Sequence, residues 1–154
     1  MQLSEFLDFD AIKSALSAGN KRALLQQLAQ IAAGRLNVDP GEILSSVTER
    51  ERLGSTGFGH GVAIPHGKIE GLSRIYCLFV RLSDPVDYKS IDGQRVDLVF
   101  LLLSPPDAGA EHLKALAAVS RVTRHAPTLE KMRGARSRDA LAAVLLGADE
   151  RDAA

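Results

Sequence analysis

Tryptophan is absent, aromatic residues make up 5% of the chain, and there is a single cysteine, Cys77. One thiol excludes an intrachain disulfide and any zinc cage built from several cysteines. Cys77 lies in the apolar run Ile75-Tyr76-Cys77-Leu78-Phe79-Val80, which predicts a small buried hydrophobe in a strand. Net charge is missing as well. The 19 lysines and arginines balance 19 aspartates and glutamates, so no global field draws the chain to nucleic acid or to an anionic membrane. Any anion site must therefore be local. No apolar run approaches the roughly 18 residues that span a bilayer, and Met1-Gln2-Leu3-Ser4-Glu5-Phe6 lacks the basic patch and apolar stretch of a secretory leader. The expectation is a cytoplasmic protein without membrane insertion. Repeats, low-complexity tracts and linkers are also absent, which predicts one domain from the 154 residues.

What the chain does contain is apolar periodicity. Leu24, Leu28 and Ile31, with Leu25 and Ala32, recur at three- and four-residue steps and predict a helix near 20–35 in an N-terminal third that reads as helical. Asn20 is its expected cap, and Gly34 is expected to loosen its end. Asp39 followed by Pro40 opens a second helix that runs through Ile43, Leu44 and Val47 toward Arg50. Ile75 to Leu82 and Val96 to Leu103 are short and almost continuously apolar, the mark of central strands covered on both faces. After Pro105-Pro106, residues 107–125 predict a helix with Leu113, Leu116, Ala117 and Val122 facing one way. A last helix is expected from Ser137 through Leu141, Val144 and Leu145, with a frayed tail after Gly147. Helices on either side of a hydrophobic sheet imply an α/β layered sandwich.

The chemistry concentrates between Gly54 and Gly67, where five glycines in fourteen residues describe an open loop rather than a core element. Two nucleotide-binding patterns fail there on spacing. Five residues separate Gly61 from Gly67-Lys68, one too many for a P-loop, and Ile69 replaces the hydroxyl residue that holds magnesium. Gly57 and Gly59 are followed by Gly61 instead of a glycine three residues on, so the dinucleotide fingerprint is broken. No cofactor is expected. His66, between Pro65 and Gly67, is the better candidate. A neutral imidazole offers one ring nitrogen to phosphorus while the other holds a proton that needs an acceptor. Phosphoryl transfer otherwise asks for positioning and for neutralisation of the equatorial oxygens, for which Ser55, Thr56, the Gly67 N–H and Arg50 are the candidates.

The segment Thr48-Glu49-Arg50-Glu51-Arg52-Leu53-Gly54-Ser55-Thr56-Gly57, followed by Gly61-Val62-Ala63-Ile64-Pro65-His66-Gly67-Lys68, closely resembles the mannitol/fructose-type IIA domains of the phosphoenolpyruvate-dependent phosphotransferase system. Within that family it is most similar to the nitrogen-regulatory branch. The likeness continues through Ile91-Asp92-Gly93-Gln94-Arg95-Val96-Asp97-Leu98 and from Glu111-His112-Leu113 to the end. The resemblance implies one type-2 IIA domain over 1–154, with a core of about 3–147 and a mixed central sheet flanked by helices. It also implies that an HPr-like phosphocarrier (NPr) phosphorylates a histidine, here His66. A second histidine, here His112, assists with phosphate stabilisation, and an arginine, here Arg50, manages charge. The implied targets are cytoplasmic proteins under nitrogen- or potassium-linked control, such as a potassium transporter or a sensor kinase. His60 departs from the family, where that loop position more often holds Gly or Asn.

Other charged residues have plainer readings. Arg52 and Lys68 read as solvated surface cations, His125 as a structural residue near a helix end, and Asp87 and Asp92 as turn residues. Two competing functions remain. One is a sugar-specific mannitol or fructose IIA component that passes phosphate to a IIB domain. The other is a metal-dependent hydrolase using His60, His66 and His112, for which no His-Glu-x-x-His helix speaks; no metal is expected.

Overall fold

The structure, a computed structural model, describes residues 1–153, with side chains through 151. The predicted first helix is Lys21–Leu36, α1, in which Leu24, Leu25, Leu28, Ala29, Ala32 and Ala33 are buried. Asn20 caps it by accepting the Ala23 N–H at 2.8 Å. Gly34 does not end it. Termination falls to Asn37, which takes the left-handed conformation (φ 58°) that asparagine tolerates better than most residues. Asp39 caps α2, Pro40–Arg52, with Pro40 in its first turn. The stretch before α1 is not helical throughout. It forms two short 3-10 turns and a strand, β1, Lys13–Leu16.

The Gly-rich segment departs most from expectation. It contributes three short strands, β2 (Gly57–Gly59), β3 (Val62–Ala63) and β4 (His66–Lys68). Long strands β5 (Tyr76–Val86) and β6 (Val96–Ser104) pair antiparallel; β6 and the Tyr76–Val80 half of β5 are almost wholly buried, as their apolar runs require, whereas Ser83, Asp84 and Pro85 of β5 are exposed. The sheet runs β1-β5-β6-β3-β2, and β4 also pairs with β6. β3 and β4 both lie parallel to β6, one at Leu98 and Val99 and the other from Leu102 to Ser104. Between them sits Pro65, which has no N–H to give the ladder. Tertiary pairing to β6, rather than local propensity, makes these residues strands.

The sheet is covered on both faces. α1 and α2 pack on the face that carries Ala63, Ile69, Leu78, Val99 and Leu101. The opposite face, with Val62, Ile64, Phe79, Leu98, Phe100 and Leu102, is covered by α3 (Gly109–Thr123), α4 (Ala126–Gly134) and α5 (Arg138–Ala153). Helix α3 buries Ala115, Ala118, Val119 and Val122, whereas Leu113 is 66% exposed and Ala117 is exposed. The predicted inward face was therefore misplaced. A small-residue stripe lets α3 lie close to the sheet and turns Leu113 outward. Residues 124 and 125 separate α3 from α4, which periodicity did not reveal. Ser137 caps α5 through Ala140 N–H at 3.0 Å. The tail after Gly147 is helical, and buried Asp149 accepts the N–H groups of Leu3 and Ser4 at 2.8 and 2.6 Å. Those two donors open a 3-10 turn with no partner within it, so the last helix ties down the first residues. No described helix is long and apolar enough to cross a membrane.

Candidate active site

β4 lies at the sheet edge, between the C-terminal half of α2 and the first turn of α3. Ser46 of α2 ties this edge down: its hydroxyl donates to the Lys68 carbonyl at 2.9 Å and accepts the Lys68 N–H at 3.1 Å. The side chain takes the place of a neighbouring strand. Such closeness requires Gly67, because a Cβ there would stand 2.4 Å from Ser46 Oγ. Above this edge opens a cleft of about 390 Å³ lined by Ser46, Glu49, Arg50, Leu53, His66, Gly67, Lys68 and His112.

His66 is not the exposed loop residue that its glycine-rich context predicted. It is 8% exposed and sits on β4 opposite Leu102. Its Nδ1 lies 2.7 Å from the Ile64 carbonyl. The carbonyl is available because Ile64 N–H bonds back to Thr56, the residue before β2 begins, where no strand claims the oxygen. A carbonyl only accepts, so Nδ1 must carry the proton and Nε2 the lone pair. Nε2 has no hydrogen-bond partner among the described residues. Burial holds the His66 pKa below the ordinary histidine value; the bond to Ile64 opposes this, Arg50 adds to it and Glu51 opposes it. The free ring is thus neutral near pH 7.

His112 stands in the first turn of α3, its ring centroid 5.3 Å from that of His66 and the planes tilted by 50°. Its Nδ1 meets the hydroxyl of Ser104, at the end of β6. Burial, then the neighbouring His66 and Lys68, keep its pKa low as well. Arg50 is fixed at the rim by donating from Nη1 to the Gly54 carbonyl at 2.9 Å.

The fold therefore brings together His66, His112, Arg50 and Gly67 of the residues singled out from sequence. Ser55 and Thr56 are turned elsewhere. Ser55 Oγ points to the Tyr88 carbonyl, and Thr56 is fully buried with its hydroxyl between Glu51 and Tyr88. His60 also lies apart: its N–H goes to Asp92 and its carbonyl to Arg133. Among the described residues no three His, Cys, Asp or Glu side chains converge to hold a metal ion. His125 caps α4 and meets Thr128 Oγ1 at 2.7 Å, a structural placement. Asp87 and Asp92 accept the N–H groups of Lys89 and Gln94, as turn residues do. Ser46 and Ser104 were missed. Ser46 is four residues before Arg50 on a helix, hence on its face, and Ser104 is the polar residue that ends an apolar strand.

An imidazole with a fixed lone pair, a second imidazole beside it, a nearby guanidinium and an open cleft make an acceptor for an electrophile delivered from outside. Comparison with known proteins gives this arrangement a family. The sequence profile described as "Phosphoenolpyruvate-dependent sugar phosphotransferase system, EIIA 2" matches residues 5–147. The chain belongs to that family. It is 44% identical to the nitrogen regulatory protein of Bradyrhizobium diazoefficiens over 94% of this chain and 95% of the relative. It is 34% identical to that of Escherichia coli K12, over 94% and 90%. The crystal structure of nitrogen regulatory protein IIA-Ntr from Neisseria meningitidis superposes with a TM-score of 0.87 at 30% identity, covering 93% of this chain and 98% of that one.

Proposed function

We propose that the protein is a regulatory phosphoryl carrier, which accepts a phosphoryl group on Nε2 of His66 from an HPr-like donor and alters its contacts with cytoplasmic targets accordingly. The observation that carries the reading is the His66 ring itself, anchored through Nδ1 to Ile64 and unpartnered at Nε2 beside a cleft. Attack by the Nε2 lone pair forms the new N–P bond as the donor's N–P bond breaks. The proton stays on Nδ1, hydrogen-bonded to the Ile64 carbonyl, so positive charge leaves the donor ring and appears on the His66 ring without an outside acid or base. His112 and Arg50 supply donors to the phosphoryl oxygens, and Lys68 adds a second cation at the rim. Leu53 (85% exposed) lines the cleft and Leu113 (66%) adjoins His112, apolar surface of the kind a protein donor covers.

Similarity to nitrogen regulatory proteins supports the regulatory role. Adding a dianion to a cleft of neutral imidazoles changes charge and hydrogen bonding enough to switch a docking surface without refolding the chain. The test is incubation with phosphoenolpyruvate, the first phosphotransferase enzyme and an HPr-like carrier, followed by mapping of the label. Acid-labile label on His66 is expected, and label elsewhere or none contradicts the reading. Onward transfer to a sugar-specific IIB protein would replace the regulatory role with transport.

A further inference from the structure

His112 can assist only if the ring nitrogen not engaged by Ser104 bears a proton. A neutral histidine is free to place it on either nitrogen, so something must choose. Ser104 is the last residue of β6, in register with Lys68, and its side chain is on the α3 face two residues after Leu102. It is 0% exposed, and among the described residues the only hydrogen-bond partner of its hydroxyl is Nδ1 of His112. A buried hydroxyl hydrogen without an acceptor is costly, while a spare oxygen lone pair is tolerated more easily. The hydrogen therefore goes to His112 Nδ1, which must be the unprotonated nitrogen. The proton is left on Nε2.

We propose that Ser104 is a positioning residue that holds His112 as its Nε2–H tautomer, a donor aimed at the group His66 receives. This rests on the reading of His66 as phosphoryl acceptor. The two imidazoles are then opposites by construction. Ile64, a carbonyl, takes a proton from His66 Nδ1 and frees a lone pair at Nε2; Ser104, a hydroxyl, gives one to His112 Nδ1 and leaves an N–H at Nε2. One ring attacks and the other donates, although the residues are of the same type.

Long-range proton–nitrogen spectra of the uniformly ¹⁵N-labelled, unphosphorylated protein at pH 8 read each tautomer and need no donor. His112 is expected as Nε2–H in the wild type and in Ser104→Thr, with the Nδ1–H form rising several-fold in Ser104→Ala. A wild-type proton on Nδ1, or the same tautomer in Ser104→Ala, overturns the proposal. Single-turnover phosphorylation should slow about tenfold or more in Ser104→Ala, with His66 still the labelled residue and Ser104→Thr restoring the rate; a wild-type rate in Ser104→Ala overturns the positioning role. Failure of the wild type to label at all removes the acceptor reading instead, and the tautomer spectra still decide what Ser104 sets.

Discussion

Two hollows flank α2, and the larger one is the more fully paired. On the α1 side a hollow of about 1020 Å³ is lined by Lys21, Arg22, Ser45, Thr48, Glu51, Asp87 and Lys89, among others. Most of its charges answer one another. Glu51, only 6% exposed at the side chain, meets Lys21 at 2.8 Å and accepts from Tyr88 at 2.9 Å and from Thr56, while Lys89 pairs with Asp87. Burial pushes the Glu51 carboxyl up, but bonds from Lys21, Thr56 and Tyr88 outweigh it and hold it below the carboxylate range. The smaller cleft of about 390 Å³ holds two rings, each bonded at Nδ1 and, among the described residues, unpartnered at Nε2. Polar groups that satisfy each other stabilise a fold; polar groups fixed on one side and open on the other are ready for a reactant. Size does not separate the two hollows. Incomplete pairing does.

The contrast can be broken most sharply at His66. Replacing it with alanine is expected to lower phosphoryl incorporation at least about a thousandfold, to background, while the fold persists; radiolabel retained at the wild-type level contradicts the account. His112→Ala should slow transfer roughly a hundredfold without moving the label, which rapid-quench kinetics would show. Unchanged kinetics would leave His112 a packing residue. Glu51→Gln tests the other hollow: it should cost about 2–4 kcal/mol in chemical denaturation, because a buried set of donors loses its carboxylate, yet leave the transfer rate within about threefold. A large rate loss with normal stability would join the two hollows into one functional unit.

The smallest effect concerns pH. Both cleft imidazoles are held below the ordinary histidine value of about 6.5, chiefly by burial. The attacking form is neutral, so the transfer rate to His66 should be flat from pH 8 to about 6.5 and decline only below it. Between the folded and ordinary pKa values the unfolded chain binds more protons, so stability falls as pH drops from about 6.5 through the folded values. His66→Ala should flatten that fall in urea titrations. A rate that already declines between pH 8 and 7 contradicts a depressed His66 pKa.

Elements with their own periodicity were legible in the sequence: α1, α2, β5, β6 and the start of α5 fall where their apolar spacing and caps predict, while α5 runs on through the tail expected to fray after Gly147. β2, β3 and β4 were not, because strands of two or three residues exist through pairing, β3 and β4 with β6 and β2 with β3, and leave no local pattern. α4 carries a signal that could have been used, Pro127 in its first turn after His125. The inward face of α3 was misread because its buried stripe is mostly alanine and its large leucine, Leu113, faces out. At the site, motif spacing and family resemblance led to His66, His112 and Arg50, whereas Ser55 and Thr56 were chosen for their chemistry alone. Only the fold shows their hydroxyls turned to the Tyr88 carbonyl and to Glu51. The partners that fix each ring, Ile64 and Ser104, are invisible without knowing that β3 and β4 follow one another along β6.

Proton, nitrogen and phosphorus resonance on the ¹⁵N-labelled protein after phosphorylation tests the central claim most directly. A phosphorus–nitrogen coupling at Nε2 of His66, with its Nδ1 proton still bonded to the Ile64 carbonyl, is the predicted result. Coupling at Nδ1, or phosphorus on His112, would contradict it.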